Sequence, residues 1–347
     1  MRQERPWIGV TYNIRTCKRL HKQGFYEALK LATLLKNLIH QHLLTRQRLG
    51  DLSYMSSQLA APVIGFVTSI IAAKYLLPYE LGVIQTVMLV ATYSSYLHFG
   101  VFNGLNRNIA FYEAKNDTQK IQDMVAASRL TAIVNAAIGL LITVIVLIYF
   151  LMKGYPSLYI YSTAIILGTL TFSPLSTHYE TIYRSSRAFM SLGIFLHIRN
   201  TINFLLGLLP IFFGALGHIF RNAVLPIASV LLLYRNSPIK PESTGEFSEV
   251  LDLASVGFPM LVTGALFMFF TVADRTIVAL TLGPTAVGEL ALSGMIVAAI
   301  SVLPVSIGAL LYPRASYIYG LSKTSSGLRR FFFSAWPLTS SQSSPSV

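Results

Sequence analysis

The chain has few charged residues and a single cysteine. Aspartate, glutamate, lysine and arginine make up 12% of its 347 residues, against roughly 25% in an ordinary soluble protein. So little polar surface cannot cover a water-facing globule, which excludes an ordinary soluble fold. Cys17 stands alone, which excludes an intrachain disulfide and a cysteine-based metal site.

Motifs for several kinds of chemistry are also missing. There is no G-x-x-x-x-G-K-[ST] phosphate loop, no metal-binding histidine pair and no G-x-S-x-G nucleophile turn. We therefore expect no enzyme activity, no cofactor and no bound metal. The net charge of +13 comes with no nucleic-acid recognition motif, so we expect no nucleic-acid partner and attribute the charge to cationic loops beside a membrane.

Long charge-free runs are what the sequence does have. A helix rises about 1.5 Å per residue and the hydrocarbon core is about 30 Å thick, so ~20 uncharged residues are enough to cross it. Six runs meet this standard, and they predict an all-α integral membrane protein: Leu52–Ala73, Leu81–Asn106, Leu130–Met152, Gly154–Thr177, Leu253–Ala273 and Leu290–Pro313.

The stretch Ser191–Tyr234 is interrupted by Arg199 and Arg221. We interpret it as two spans hinged around Gly214, with a single span over Asn200–Phe220 as the alternative. Two spans bring the total to eight and place eleven basic residues on the side of the two termini, against one or two on the other side. This bias predicts that both termini are cytoplasmic. The eleven are Arg107, Lys115, Lys120, Arg184, Arg187, Arg235, Lys240, Arg314, Lys323, Arg329 and Arg330.

The spans divide the chain into four parts. Residues 1–50 are a basic extension, in which Phe25–Leu44 is either an amphipathic helix on the membrane surface or weakly ordered. Residues 51–235 form a first lobe of six spans, and residues 249–330 begin a second lobe with two. Residues 331–347 are a Ser/Pro-rich tail, which we interpret as the result of a truncation.

An internal repeat relates the two lobes. The segment LLPYELGVIQ aligns with TLGPTAVGEL at a constant offset, so that Pro78 falls on Pro284 and Gly82 on Gly288. Both copies lie between one long span and the next and keep the same sidedness. Such a repeat predicts two lobes related by an axis along the membrane normal, as in parallel-repeat transporters.

The order of several motifs resembles a known family. The motifs are LLPYELG near Lys74–Gly82, GLNRNIAFYEA at Gly104–Ala114, YRSSRAF at Tyr183–Phe189, ASVGFPMLVTG at Ala254–Gly264, VADRTIVALTLGPTAVGEL at Val272–Leu290 and LLYPRAS at Leu310–Ser316. Their order and spacing resemble the lipid-linked oligosaccharide flippases of polysaccharide biosynthesis, the O-antigen exporter type. These belong to the multidrug/oligosaccharidyl-lipid/polysaccharide exporter superfamily.

The resemblance implies a two-lobe bundle of twelve to fourteen helices around a central cavity that opens alternately to each side. It implies the bacterial inner membrane as location, the lipid bilayer and a polyprenyl-pyrophosphate-linked glycan as partners, and other polysaccharide-assembly membrane proteins as further partners. This chain departs from the family in lacking the last helices. A multidrug or cation exporter of the same superfamily and an inactive truncated fragment are the alternatives.

Eight ionisable side chains in or near the spans are candidates for the substrate path: Lys74, Arg107, Arg199, His218, Arg221, Asp274, Arg275 and Arg314. Charges inside a membrane are costly and normally face a cavity or a partner. An inward-facing arginine offers pyrophosphate its planar donor fork.

Each candidate also has a structural interpretation. Arg199 and Arg221 either meet pyrophosphate or snorkel to the interface, and His218 shares a helix face with Arg221. Arg275 either lines the cavity, oriented by Asp274, or pairs with another helix. Lys74, Arg107 and Arg314 are explained equally well by topology. The cluster Glu180, Arg184 and Arg187 is interpreted as a solvated loop helix.

Overall fold

The computed structural model describes residues 48–113, 115–240, 245–291 and 293–294. The chain divides into two units, Met1–Leu49 and Gly50–Val347. The predicted surface helix, most of the eighth span, Arg314 and the Ser/Pro-rich tail lie outside the described residues. The division into two lobes at the predicted boundaries stays a prediction.

The described part of the chain is a bundle of α-helices. Eight helices have the following described ranges: α1 Arg48–Tyr75, α2 Pro78–Ser94, α3 Val101–Glu113, α4 Thr118–Met152, α5 Ser157–Ser185, α6 Phe189–Leu206, α7 Pro210–Tyr234 and α8 Phe247–Thr281. A ninth helix, α9, begins at Pro284 and is described over residues 284–294 except residue 292. Six of them, α1 and α4 to α8, are long and apolar enough to cross a membrane.

Local chemistry explains where several helices begin. Pro78 occupies the first turn of α2, where its missing N–H costs nothing, and the Leu77 N–H donates to the Glu80 carboxylate at 3.0 Å. The Asp117 carboxylate caps α4 by accepting from the Lys120 N–H at 3.1 Å. These caps satisfy N–H groups that lack a partner within the helix.

Helix α5 is central among α2 to α7, because it packs against each of the other five: α2, α3, α4, α6 and α7. Its residues Tyr179, Ile182 and Tyr183 join a buried cluster with side chains of α3, α4 and α6. Leu253 of α8 is fully buried in the same cluster. The start of α8 is therefore anchored in the core that the earlier helices build.

An ion pair reinforces that anchor. The Lys120 ammonium lies 2.5 Å from the Glu249 carboxylate, joining the first turns of α4 and α8. Next to it α3 and α8 cross so closely that a Cβ on Gly104 would overlap the backbone of Leu253, and one on Gly257 would overlap the Gly100 carbonyl. Glycines at such a crossing let two backbones touch.

The repeated segments meet each other at the start of α2 and α9. A Cβ on Gly82 would overlap the carbonyl oxygen of Pro284, and one on Gly288 would overlap that of Pro78. Each copy therefore makes the same contact with the other. Reciprocal contact of this kind is what a two-fold axis produces, and it supports the repeat predicted from the sequence.

The region Ser191–Tyr234 forms two helices hinged at Gly214, as predicted. α6 ends at Leu206 and α7 begins at Pro210, and Gly207 and Leu209 between them keep helical dihedral angles. The backbone leaves helical geometry at Gly214, with a φ of 53° and a ψ of −133°. Pro210 lies in the first turn of α7, where the missing N–H of proline costs nothing.

The structure of the second predicted span differs from its prediction as one continuous helix. The charge-free run Leu81–Asn106 is divided into α2 and α3 by an irregular segment at residues 95–100. Helices α4 and α5 are also longer than the charge-free runs within them, so Lys120 and Glu180 belong to helices rather than to loops. A charge near the end of a span need not end the helix.

Candidate substrate site

A polar cavity of about 300 Å³ lies between α1, α5, α6 and α7. Its wall contains hydroxyl, amide and charged groups in helices that are otherwise apolar. The lining residues are Ala61, Ser173, Ser176, Thr177, Glu180, Arg199, Asn200, Asn203, Leu225, Pro226 and Ser229. Because polar and ionisable groups inside a membrane bundle are costly, this cavity is the candidate substrate site.

Two prolines lie at the level of the cavity. Pro226 of α7 lines it, and Pro174 of α5 follows the lining residue Ser173. A proline inside a helix removes one backbone hydrogen bond and bends the helix away from its own preceding turn. Each of these prolines therefore removes a backbone hydrogen bond at the level of the cavity.

Glu180 and Arg199 form an ion pair on the cavity wall. The Arg199 Nη1 donates to the Glu180 Oε1 at 2.6 Å, and each side chain is about a quarter exposed, at 25% and 23%. The pair joins α5 to α6 and neutralises both charges. Since both side chains keep contact with the cavity, water there reduces the cost of burying them.

Arg221 lies one turn before the cavity-lining part of α7 and is buried, with 9% of its surface exposed. Its Nε donates to the Asn203 Oδ1 at 2.9 Å, and Asn203 lines the cavity. No carboxylate of a described residue forms an ion pair with Arg221. A buried guanidinium without a counter-charge is costly inside a membrane, so this position favours a negatively charged ligand.

His218 lies three residues before Arg221 and is 6% exposed. Within the described part of the chain its Nδ1 is buried without a hydrogen-bond partner. The predicted proximity of His218 and Arg221 on one helix face agrees with their placement on α7. Of the two, Arg221 is the one that contacts Asn203.

Four other candidates, all among the described residues, do not line this cavity. Lys74 is exposed near the end of α1, with its ammonium 5.5 Å from the centre of the Tyr75 ring. Arg107 is exposed on α3. Asp274 accepts a hydrogen bond from the backbone N–H of Arg275 at 2.7 Å, and the Arg275 guanidinium lies against Gly294. Of the candidates that the structure describes, Arg199 lines the cavity and Arg221 donates to the lining residue Asn203, with His218 three residues before Arg221 on α7.

Sequence reasoning missed the partners of these arginines. The interpretation of Glu180 as part of a solvated loop helix was wrong, because α5 continues to Ser185 and places Glu180 beside Arg199. Asn200 and Asn203 were also missed. The signal was present: Asn200 and Asn203 follow Arg199 at one and four residues, so Asn203 shares its helix face.

Comparisons with known proteins were made by sequence and by structure. No protein-family model matches the chain, and no curated protein matches it. A solved chain described as "protein A" has a TM-score of 0.64 at 17% identity, covering 80% of this chain and 66% of that chain. The present chain therefore spans about two thirds of the length of that neighbour.

A second solved structure is described as "Reverse polarity of binding pocket suggests different function of a MOP superfamily transporter from Pyrococcus furiosus Vc1 (DSM3638)". It has a TM-score of 0.54 at 15% identity and covers 82% of this chain and 69% of that chain. At these identities the likeness shows the fold alone. The described part of the chain is a bundle of α-helices, six of them long and apolar enough to cross a membrane, and its fold is similar to that of this MOP superfamily transporter.

Proposed function

We propose that this protein is a transporter that moves a polyprenyl-pyrophosphate-linked oligosaccharide across the bacterial cytoplasmic membrane for polysaccharide biosynthesis. The observation that carries the proposal is Arg221, a buried guanidinium without a carboxylate partner among the described residues, beside a polar cavity.

The charge balance around the cavity supports an anionic substrate. Arg199 is neutralised by Glu180, whereas Arg221 is not paired with a described acid. A charged residue at the bilayer centre costs about 2.5–3.5 kcal/mol on insertion scales. A phosphate group binding to Arg221 offsets that cost, because its oxygens match the planar donor fork of arginine.

The other groups on the cavity wall suit a sugar. The serine and threonine hydroxyls and the amides of Asn200 and Asn203 offer both donors and acceptors of hydrogen bonds. A sugar headgroup needs both kinds of partner for its hydroxyl groups. The lipid tail would stay in the bilayer, where the exposed apolar faces of α4 and α8 already lie.

The fold leaves the charge of the substrate open, because function depends on the site rather than on the fold. The description of the Pyrococcus furiosus protein speaks of reversed pocket polarity and a different function. A cation exporter of the same superfamily would need an acid without a cationic partner in its cavity. Glu180 is paired with Arg199 and Asp274 lies elsewhere, so the cation alternative has less support.

Binding of the headgroup tests this proposal. In detergent, polyprenyl pyrophosphate at about 100 times its dissociation constant should stabilise the protein by ~2.7 kcal/mol and raise its unfolding temperature. Arg221→Gln should lose most of that shift, whereas Arg235→Gln, at an exposed position after α7, should keep it. An equal shift with the matching polyprenol, which carries no phosphate, would contradict the proposal.

A further inference from the structure

Arg184 is a second arginine beside Glu180, one helical turn after it on α5. Its side chain is partly buried, and its Nε is buried without a hydrogen-bond partner in the described part of the chain. Its Nη2 donates a long hydrogen bond of 3.5 Å to the Thr181 Oγ1, and the described carboxylates form no ion pair with it. A buried donor that lacks a partner is costly. Arg184 therefore has donor capacity for a further acceptor.

Glu180 is the acid that Arg184 can reach. Residues four apart on a helix are neighbours, with Cβ atoms about 5–6 Å apart, and a glutamate four residues before a basic residue is the favourable order. The buried Tyr54 side chain of α1 interacts with both Arg184 and Glu180, so both lie on the side of α5 that faces α1. Glu180 thus has two arginines in reach, Arg199 on α6 and Arg184 on its own helix.

The contact between Glu180 and Arg199 is suited to exchange. One hydrogen bond joins them, from the Arg199 Nη1 to the Glu180 Oε1 at 2.6 Å, and the Ser176 Oγ adds only a long contact of 3.5 Å to the same oxygen. A guanidinium carries five N–H donors. A pair formed through one nitrogen leaves donors of Arg199 for a phosphate in the cavity that both side chains line.

Arg199 and Arg221 lie close enough to share one ligand. The Arg221 Nε donates to the Asn203 Oδ1 at 2.9 Å, and Asn203 follows Arg199 by one turn of α6, which is about 6 Å along the helix axis. With its Nε bound to Asn203, Arg221 keeps its two Nη groups for a ligand. Two guanidinium groups at this spacing match a ligand with two linked phosphates, because each phosphate accepts from one planar donor fork.

We propose that Arg199 is a second pyrophosphate ligand and that Glu180 exchanges between two arginines. Without substrate, Glu180 pairs with Arg199; when pyrophosphate occupies Arg199 and Arg221, the carboxylate moves to Arg184. The exchange leaves Glu180 and Arg199 paired in both states, which avoids the high cost of an uncompensated charge. The return of Glu180 to Arg199 displaces the phosphate and releases the substrate. Arg184 is thus a positioning residue that acts through Glu180, and this assignment rests on the proposed function.

Binding of polyprenyl pyrophosphate to the full chain in detergent tests the exchange. Glu180→Gln should bind this lipid about fivefold more tightly than the unaltered protein, because no carboxylate competes for Arg199. Arg184→Gln should bind it about fivefold more weakly, because Glu180 loses its second partner. The double variant Glu180→Gln/Arg184→Gln should bind as tightly as Glu180→Gln, since Arg184 acts only through that carboxylate. Arg235→Gln is the control and should leave the affinity unchanged.

Three results would contradict the exchange. Weaker binding by Glu180→Gln would show that Glu180 only supports the cavity wall. Weaker binding by the double variant than by Glu180→Gln would show that Arg184 contacts the phosphate itself, and this comparison decides alone if Arg184→Gln does not fold. Equal affinity of the unaltered protein for polyprenyl pyrophosphate and for polyprenol would overturn the proposed function, and the exchange with it, whereas the first two results leave the proposed function standing.

Discussion

Glu180 and Arg199 contact each other across two helices that are long enough to span a membrane. Removing either partner leaves the other charge without compensation, which costs more than the net value of the pair. Each side chain of the pair is about a quarter exposed. We therefore expect the contribution of the pair to the free energy of unfolding to lie between that of a buried and that of a surface ion pair. The ion pair between Glu180 and Arg199 therefore stabilises the cavity wall, whereas either charge alone would destabilise it.

We predict that Glu180→Gln and Arg199→Gln will each reduce stability by about 1–3 kcal/mol. The double variant should be more stable than the sum of the two losses predicts, because it leaves neither charge unpaired. Unfolding temperatures in detergent of the four proteins in this cycle measure the coupling. Simple additivity of the two losses would show that the pair does not stabilise the fold.

The partners of a buried charge are harder to predict than the charge itself. Arg199 and Arg221 are visible in the sequence because they interrupt an apolar run. Glu180 is not, because it lies near the end of a run and looks like a loop residue until α5 is seen to continue past it. Pairing between residues distant in sequence depends on packing, which one sequence without an alignment does not supply.

Helices α3 and α8 cross through glycines. Gly257 lies so close to Gly100 that a Cβ would overlap the Gly100 carbonyl. Farther along the same helix, the described residues leave free the position that a Cβ on Gly264 would take. The two glycines of α8 therefore differ in what an added methyl group would do.

We predict opposite effects of alanine at these positions. Gly257→Ala should destabilise the protein by about 1–3 kcal/mol, because the backbones must move apart. Gly264→Ala should be neutral or stabilise it by up to ~1 kcal/mol, because alanine favours helix over glycine. Thermal unfolding in detergent compares the two variants. A loss at Gly264 as large as at Gly257 would show that the crossing is not the cause.

Helices that contain long charge-free runs were predictable from the sequence, but a break inside such a run was not. The two helices of the region Ser191–Tyr234 were predicted, including their number. The break at residues 95–100 was not, because Leu81–Asn106 contains no charge or proline to mark it. It depends on Gly100 and on close contact with α8, neither of which a run of apolar residues indicates.

The whole molecule combines an apolar bundle with a strong excess of positive charge. In the described part, the linker between α7 and α8 carries Arg235 and Lys240, and the turn between α4 and α5 carries Lys153. The positive-inside bias places the linker in the cytoplasm and the turn outside. This orientation is a prediction from charge.

Labelling in intact cells tests the orientation. In a Cys17→Ser background, Lys153→Cys should react with an impermeant maleimide added outside, and Lys240→Cys should react only after the cells are permeabilised. Both positions are exposed, so the two sites have matched access in the folded protein. The reverse pattern would place the termini outside.

Transport in proteoliposomes measures directly whether the protein moves its proposed substrate. We expect the unaltered protein to move a polyprenyl-pyrophosphate-linked oligosaccharide between leaflets. Arg221→Gln should slow this movement at least about tenfold, since a charge-assisted phosphate contact is worth more than ~1.4 kcal/mol. Arg235→Gln should keep the full rate. Movement of a cationic dye instead of the lipid would show that the substrate is not anionic, and full activity of Arg221→Gln would show that Arg221 does not bind it.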